Sequence, residues 1–421
     1  PRDMADAPKE QRSQTEQERA VRHEAEARAA AVAAFVDSLS VHEQVCQLFI
    51  VNVAGNTDFT PVESYDGAPL IPGGYLFFSY NIADTPEKII AFTDSIAAFC
   101  AAHEAVMPFL AIDHEGGTVN RLRQVVSPFP AAGAVAERLS VSDAGALFAF
   151  QAEQLRALGF TMNIAPVVEV RTDDNRAFLG TRSFGNEDAV RAYGTAAITA
   201  FQNHGVAAVI KHFPGNTNVD PHTGLPEIAL SESELETRVL APFCDLLACR
   251  PAGIVMSHAR TKAVDAGVPA CLSSVWVNDT VRDSFGYGGL ILSDDIFMAA
   301  LQDNGYPPAV AAVRAIEAGV DCIMISEKRF LDSVTVLVEK AEEDAAFAER
   351  IQESCRRVLA AKAAYGVIAV VPAADGFTVC GTAPHDPVYE RLSAFKRAYT
   401  ENAALIERTF FRGDDHRALA R

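Results

Sequence analysis

The chain is poor in basic residues: 36 Lys and Arg stand against 55 Asp and Glu, for a net charge of -19. A surface of that sign repels phosphate backbones, so no nucleic-acid partner is expected. No apolar run approaches the roughly 20 residues that span a bilayer, so no transmembrane segment is expected either. The eight cysteines include no C-x-x-C pair. Zinc-ribbon and dithiol redox motifs are thereby excluded, and the thiols read as free and buried. No Gly-rich phosphate loop follows the first predicted strand, which counts against a dinucleotide-binding sheet. That strand ends in Val51-Asn52-Val53, with no His-x-His pair, and no compact trio of His or carboxylate ligands occurs elsewhere. Neither a metal nor another cofactor is expected.

What is present is ample core: 421 residues, 49% hydrophobic and 22% charged. Short apolar runs alternate with helical stretches from Ser38 to Tyr365. The predicted strands are Gln47–Val53, Gly73–Phe78, Met107–Asp113, Thr161–Val167, Ala207–Phe213, Gly253–His258, Gly289–Asp295 and Asp321–Ser326. Continuous apolarity marks strands buried on both faces. Predicted helices include Thr85–Glu104, Ser142–Leu158, Asp188–His204 and Glu232–Cys249. Eight such units predict an α/β fold, a (β/α)8 TIM-type barrel forming a single catalytic domain. Residues 1–37 read as a charged helical extension or linker and 38–366 as the barrel. Residues 367–421 read as a short tail whose helix, from about Val388 to Arg408, packs on it. The chain starts at Pro1 rather than Met, a hint of export, whereas the cysteine usage hints at a reducing compartment. The compartment stays open, with a bacterial envelope or periplasm slightly favoured over cytoplasm.

The polar residues that end these strands carry the chemistry. Asp113 ends the third, Lys211 and His212 the fifth, Ser257 and His258 the sixth, and Ser293-Asp294-Asp295 the seventh. Barrel enzymes build their sites at this face. A carboxylate at a strand tip, Asp294, suits a nucleophile or charge stabiliser, while Asp294 or Asp295 could also cap a helix starting near Ile296. Asp220 and His222 form an Asp-x-His pair on the loop after Gly215, suited to general acid/base work or, more plainly, to an Asx turn. Asp113, Arg121, Arg182, Lys211 and His212, with Glu115, supply donors and acceptors for the hydroxyls of a polar ligand such as a sugar. Arg182 could instead brace its own loop. His114 and His258 read as residues that pack in the core or support the site groups from behind, and Gly116-Gly117 as a tight turn allowing close substrate approach.

These motifs resemble the β-N-acetylhexosaminidases of glycoside hydrolase family 3, of the peptidoglycan-recycling type. The matching pieces are Leu39-Ser40, Gln44-Val45, Gln47 to Val51, Ile112-Asp113-His114-Glu115-Gly116-Gly117 with Val119-Asn120-Arg121, Asn163 to Val167, Arg182-Ser183-Phe184-Gly185, Lys211-His212-Phe213-Pro214-Gly215, Asp220-Pro221-His222 and Ser293-Asp294-Asp295. They stand in the family's order. The resemblance implies a retaining exo-β-N-acetylglucosaminidase acting on a terminal sugar of cell-wall muropeptides or related glycans. In it Asp294 is the nucleophile, and His222 assisted by Asp220 is the acid/base. Asp113, Arg121, Arg182, Lys211 and His212 hold the N-acetylglucosamine unit. Two departures stand out: a shorter loop between Gly215 and Asp220, and His114 where the family usually has Gln. Alternatives are a β-glucosidase or N-acetylglucosaminide phosphorylase of the same family, since an imidazole does not repel phosphate, or a non-catalytic sensor of cell-wall fragments. Oligomeric state is not legible.

Overall fold

The computed structural model of the chain describes residues 9–410. Its centre is one sheet of eight strands. These are β1 (Phe49–Asn52), β2 (Gly74–Phe77), β3 (Phe109–Ile112), β4 (Met162–Asn163), β5 (Ala207–Phe213), β6 (Gly253–Met256), β7 (Leu290–Ser293) and β8 (Ile323–Ile325). Each strand lies beside its neighbour in sequence, and the pairs are parallel. β8 pairs with β1 through Phe49↔Ile323, Ile50↔Met324 and Val51↔Ile325. It meets β7 at a Leu292–Cys322 bridge, where the Asp321 and Ser293 amides donate to the Ile291 and Cys322 carbonyls at 2.8 and 2.9 Å. The ring closes, and the fold is the predicted (β/α)8 barrel.

Every residue of the eight strands is buried, which is why their sequences read as unbroken apolar runs. Seven of the strands are shorter than those runs, while β5 keeps the predicted Ala207–Phe213. The run Thr161–Val167 yields only Met162–Asn163, because Pro166 has no amide hydrogen for the ladder. Pairing resumes at the Val167–Lys211 bridge.

Helix starts follow local signals. Side chains of Thr85, Ser140 and Asn186 accept the amides of Lys88, Asp143 and Ala189, capping Pro86–Ala102, Val141–Ala157 and Glu187–Asn203. Their apolar residues, Ile89, Phe92 and Ile96 on the first and Leu147, Phe148 and Leu155 on the second, join the core with the strands. The helix expected over Glu232–Cys249 is interrupted. Glu236–Leu240 takes wide π-type turns just before Pro242, whose ring nitrogen cannot donate to the turn below.

The N-terminal stretch forms one helix, Lys9–Ser38, whose Val32 and Val36 enter the core. Arg28 donates to the Val370 carbonyl at 3.0 Å, tying the helix to a hairpin of Ala369–Ala373 and Gly376–Cys380. Near the C-terminus, Val388–Phe410 docks through Arg391, which donates to the Ala157 carbonyl at 3.0 Å, and Asn402, which donates to Ser127 Oγ at 2.7 Å. Residues 1–8 and 411–421, the outer ends of the expected extension and tail, lie outside the described residues. No described helix is long and apolar enough to cross a membrane. Cys46, Cys100, Cys271, Cys322 and Cys355 are buried thiols, but Cys244 and Cys380 are exposed and Cys249 is half-buried, contrary to expectation. Cys380 alternates outward on the surface hairpin, where one strand face meets water.

Beneath the barrel, at the N-terminal ends of the strands, Lys362 is fully buried. Its ammonium donates to Gln47 Oε1 at 2.6 Å and sits 6.0 Å from the centre of the Phe109 ring. Burial, only partly countered by Cys355, Cys100 and Cys322, lowers its pKa to about 7. Between that value and its ordinary one the unfolded chain holds a proton that native Lys362 has released. Stability should therefore rise with pH above 7, by at most about 1.4 kcal/mol per pH unit from this group. Above the ordinary thiol range the sign reverses, because burial pushes Cys100 and Cys355 up to about 12 and the native state then keeps their protons. Denaturant titrations from pH 6 to 9 should show the rise in the native chain and a flatter profile in Lys362→Met. Equal slopes in both proteins would refute the assignment.

Candidate active site

The polar strand ends meet at the mouth of the barrel. Asp113 follows β3, Lys211 and His212 belong to β5, and Asp294 follows β7; all line one cavity of about 310 Å3. Arg121, Arg182 and His222 complete its wall. Of the residues predicted to carry catalysis or hold the sugar, Asp220 alone is not on the wall, and it holds His222 from behind.

Lys211 is the hub. Its Nζ lies 2.6 Å from Asp113 Oδ1 and 2.6 Å from Glu115 Oε1. Glu115 in turn takes a two-pronged bond from Arg182, at 2.8 and 2.9 Å. Burial alone would raise the Glu115 carboxyl, but the Lys211 and Arg182 charges outweigh it and bring it down to about 2. Burial alone would lower the Lys211 pKa; the Asp113 and Glu115 charges outweigh that and raise it. The group is a fixed lattice of paired acidic and basic side chains. Arg121 stands further off, 3.7 Å from Asp113 Oδ2, with its guanidinium 5.4 Å from the centre of the Phe78 ring.

Local backbone chemistry aims these groups. Asn163, at the end of β4, accepts the His114 amide at 3.0 Å and donates to the His114 carbonyl at 3.1 Å. That clamp fixes the hairpin of His114–Gly116 and Val119–Asn120 that carries Glu115. Gly116 and Gly117 have φ of 90° and 57°, where a side chain is strained. A Cβ on them would meet Pro130 O at 2.3 Å and Ala131 Cβ at 2.5 Å. The close approach anticipated for substrate is thus made by the protein's own loop.

Asp294 and Asp295 have opposite environments. Burial would raise Asp294, but His258, His212, the Asp295 amide and Lys211 outweigh it and hold the carboxyl below its usual range. Asp295 is raised, by burial first and further by the Asp294 charge. Asp295 is no helix cap: its Oδ1 accepts the amides of Phe297 and Ser326, both at 3.1 Å, and the next helix starts only at Ala299 behind Met298. It ties the loop after β7 to the loop after β8. His258 is fully buried below them, with Nε2 2.9 Å from the Asp295 carbonyl and Nδ1 3.2 Å from Cys271 Sγ. His114 is also buried, 2.9 Å from Gln151 Oε1, its pKa brought down by burial to about 4. Both are buried off the cavity wall, His114 packed against Gln151 and His258 supporting the Asp294–Asp295 pair, within the reading from sequence.

The loop after β5 brings His222 over the cavity although it is short. Asp220 Oδ1 accepts both the His222 amide, at 2.9 Å, and its Nδ1–H, at 2.7 Å. The Pro221 carbonyl accepts the Ala300 amide at 3.1 Å, and Asn218 bridges to Ala177 and Asp173 at 2.8 Å each. The ring itself is well exposed, its side chain at 66%.

Sequence reasoning missed Glu169. It is 3% exposed and accepts from His212 Nδ1 at 2.6 Å and from the Asn216 amide at 2.6 Å. Its one signal is an acid inside the apolar run Ile164–Val170.

Known proteins resemble this chain in sequence and fold. The sequence profile of the "Glycosyl hydrolase family 3 N terminal domain" matches residues 41–361. The chain is similar to "Beta-hexosaminidase A" of Pseudoalteromonas piscicida, 28% identical over 68% of this chain, though it spans only 52% of that protein's length. It is 34% identical to a "Beta-hexosaminidase" of Alkalilimnicola ehrlichii, over 60% of this chain and 73% of that one. Among solved structures, a glycoside hydrolase family 3 beta-N-acetylglucosaminidase from Paenibacillus sp. superposes with a TM-score of 0.71 at 30% identity, covering 87% of this chain and 69% of that one.

The charged lattice predicts an asymmetry in stability. The Glu115 side chain is 3% exposed and Asp113 is 18% exposed. Glu115→Gln breaks a buried pair and should lower the unfolding free energy by about 3–5 kcal/mol. Asp113→Asn should cost less, because water in the cavity reaches that carboxyl. Urea titration of both variants reads the order, and the reverse order would contradict the lattice.

Proposed function

The chain belongs to glycosyl hydrolase family 3, and on that premise we propose that it removes terminal β-linked N-acetylglucosamine from glycans, cell-wall muropeptides being the natural class, through a covalent glycosyl-enzyme. The observation that carries this reading is one small cavity walled by an ionised carboxylate, Asp294, an Asp220-held imidazole, His222, and the paired charges of Lys211, Arg182 and Asp113. Its volume, about 310 Å3, is at the low end for small-molecule sites and suits a single sugar ring. A one-ring pocket means removal of terminal units. The lattice offers fixed ammonium, guanidinium and carboxylate partners to ring hydroxyls, which uncharged sugars need for orientation.

The chemistry follows. Asp294 attacks the anomeric carbon, and His222 Nε2 gives its proton to the glycosidic oxygen as the leaving sugar departs. A water then attacks the same carbon, passing its proton to His222 and releasing the Asp294 carboxylate. Asp220 occupies Nδ1, so that Nε2 is the nitrogen left for the substrate. The low Asp294 pKa supplies a charged nucleophile, whereas Asp295, raised and bound to Phe297 and Ser326, is spoken for.

A mechanism-based fluorosugar should label Asp294, and Asp294→Ala should be inactive while remaining folded. Label on Asp295 would displace the nucleophile. His222→Ala should lose roughly 10²–10⁴-fold on a disaccharide, whose leaving hydroxyl needs a proton. It should lose far less in the first step on a dinitrophenyl glycoside, whose leaving group does not. Equal losses on both would remove His222 from the acid role. The wild-type products, run with and without phosphate and beside the matching β-glucoside, separate hydrolysis of N-acetylglucosaminides from the two related activities.

A further inference from the structure

We propose that Glu169 is the positioning residue that sets the sugar-binding ring of His212 and the loop bearing His222 at once. The inference rests on the functional reading above and adds to it a group that does not line the sugar cavity.

The geometry is specific. Glu169 is 3% exposed, just beyond the short strand β4. Oε1 lies 2.6 Å from His212 Nδ1, 3.3 Å from the His212 amide and 3.2 Å from Asn216 Nδ2. Oε2 lies 2.6 Å from the Asn216 amide. All four partners are N–H groups, so the carboxylate acts only as acceptor, with both oxygens engaged. A hydrogen held on Nδ1 leaves Nε2 as the His212 nitrogen presented to the cavity that His212 lines. The second contact fixes where the chain leaves β5. Asn216 follows Gly215, whose φ of 127° makes the turn, and the loop runs from there to Asp220 and His222. One carboxylate therefore joins two parts of the site that the sequence separates: a sugar contact inside the barrel and the proton donor above it.

A glutamine at 169 has the same shape but a single acceptor oxygen. Its amide group would face either the Asn216 N–H or the His212 Nδ1–H, donor against donor. A residue that merely supported the fold would lower stability and scale all activities together. A positioning residue makes a divided prediction. Through His212, Glu169→Gln should weaken binding of free N-acetylglucosamine by roughly 10–100-fold, the range for a charge-assisted hydrogen bond. Through the loop, it should lose at least about tenfold more kcat/KM on chitobiose than on the dinitrophenyl glycoside, part of the acid/base contribution. Glu169→Asp keeps both acceptor oxygens and should recover part of each loss.

The experiment measures product affinity by calorimetry and kcat/KM on the two substrates for the wild type, Glu169→Gln and Glu169→Asp. It also follows the ring nitrogens of His212 by 15N NMR, where the wild type should show a protonated Nδ1 and Glu169→Gln should not. If the Gln variant fails to fold, the same ratios are read on Glu169→Asp, where smaller losses in both are expected. Unchanged sugar affinity with equal fractional losses on the two substrates would overturn the proposal, as would an Nδ1–H signal indifferent to residue 169. A wild type inactive on both substrates would instead overturn the functional reading, and the His212 ring signal would still decide whether Glu169 positions it.

Discussion

A buried ammonium is the constraint around which the mouth of this barrel is arranged. Lys211 sits on β5 with 5% of its side chain exposed and carries a charge that burial disfavours. It keeps the charge because Asp113 and Glu115 each approach to 2.6 Å. Two carboxylates on one ammonium leave an excess of negative charge, and Arg182 supplies the balance by gripping Glu115 with two bonds. Each added charge thus calls for the next, and the chain of need runs from β5 to the hairpin after β3 to the loop after β4. Such a lattice gives little net stability, because desolvating the ions nearly cancels their attraction. It does give fixed geometry. Groups already desolvated and aligned do not reorganise when a ligand arrives.

The same electrostatic field separates two adjacent aspartates. Asp294 and Asp295 are chemically identical neighbours at the tip of β7, yet one is lowered and the other raised. The cations and imidazoles of the mouth face Asp294. Asp295 turns to the amides of Phe297 and Ser326 and feels Asp294 as a like charge. One is held as an anion at the cavity wall, accepting only the Asp295 amide among the described residues, and the other is a strap between loops. The environment, not the residue type, assigns the roles.

How far this was legible in sequence depends on distance along the chain. The eight strands were readable because burial on both faces leaves continuous apolar runs, and the polar strand ends were readable because charge interrupts such runs. Asp220 and His222 were readable because they are two residues apart. Strand lengths were less so: Pro166 cuts β4 to a pair of residues through a missing donor that apolarity does not register. Glu169 was missed because its partners are His212 and Asn216, 43 and 47 residues on. The Asp295 cap was a local inference defeated by a long-range one, since Ser326 lies 31 residues away. The glycine pair was correctly read as a tight turn, but only the folded loop at Pro130 and Ala131 shows what it makes room for.

The two ends of the barrel apply one rule to opposite effect. At the closed end Asp321 is fully buried and ion-paired with Arg282, Arg350 and Arg357, while also accepting from Ser354 Oγ at 3.0 Å and the Ile291 amide at 3.0 Å. Its acceptor capacity is spent, and it ties the junction where β7 and β8 close the ring. At the open end Asp113 is engaged by Lys211 through Oδ1 alone. Its Oδ2 is 3.7 Å from Arg121, too far for a hydrogen bond. That oxygen keeps free lone pairs, and Arg121 Nε is buried without a partner among the described residues. A saturated carboxylate is a structural tie. An unsaturated one on a cavity wall keeps acceptor capacity to which a hydroxyl can donate. The barrel closes on the first kind and, on the function proposed above, binds through the second, so what differs between its ends is how many hydrogen bonds have been left open.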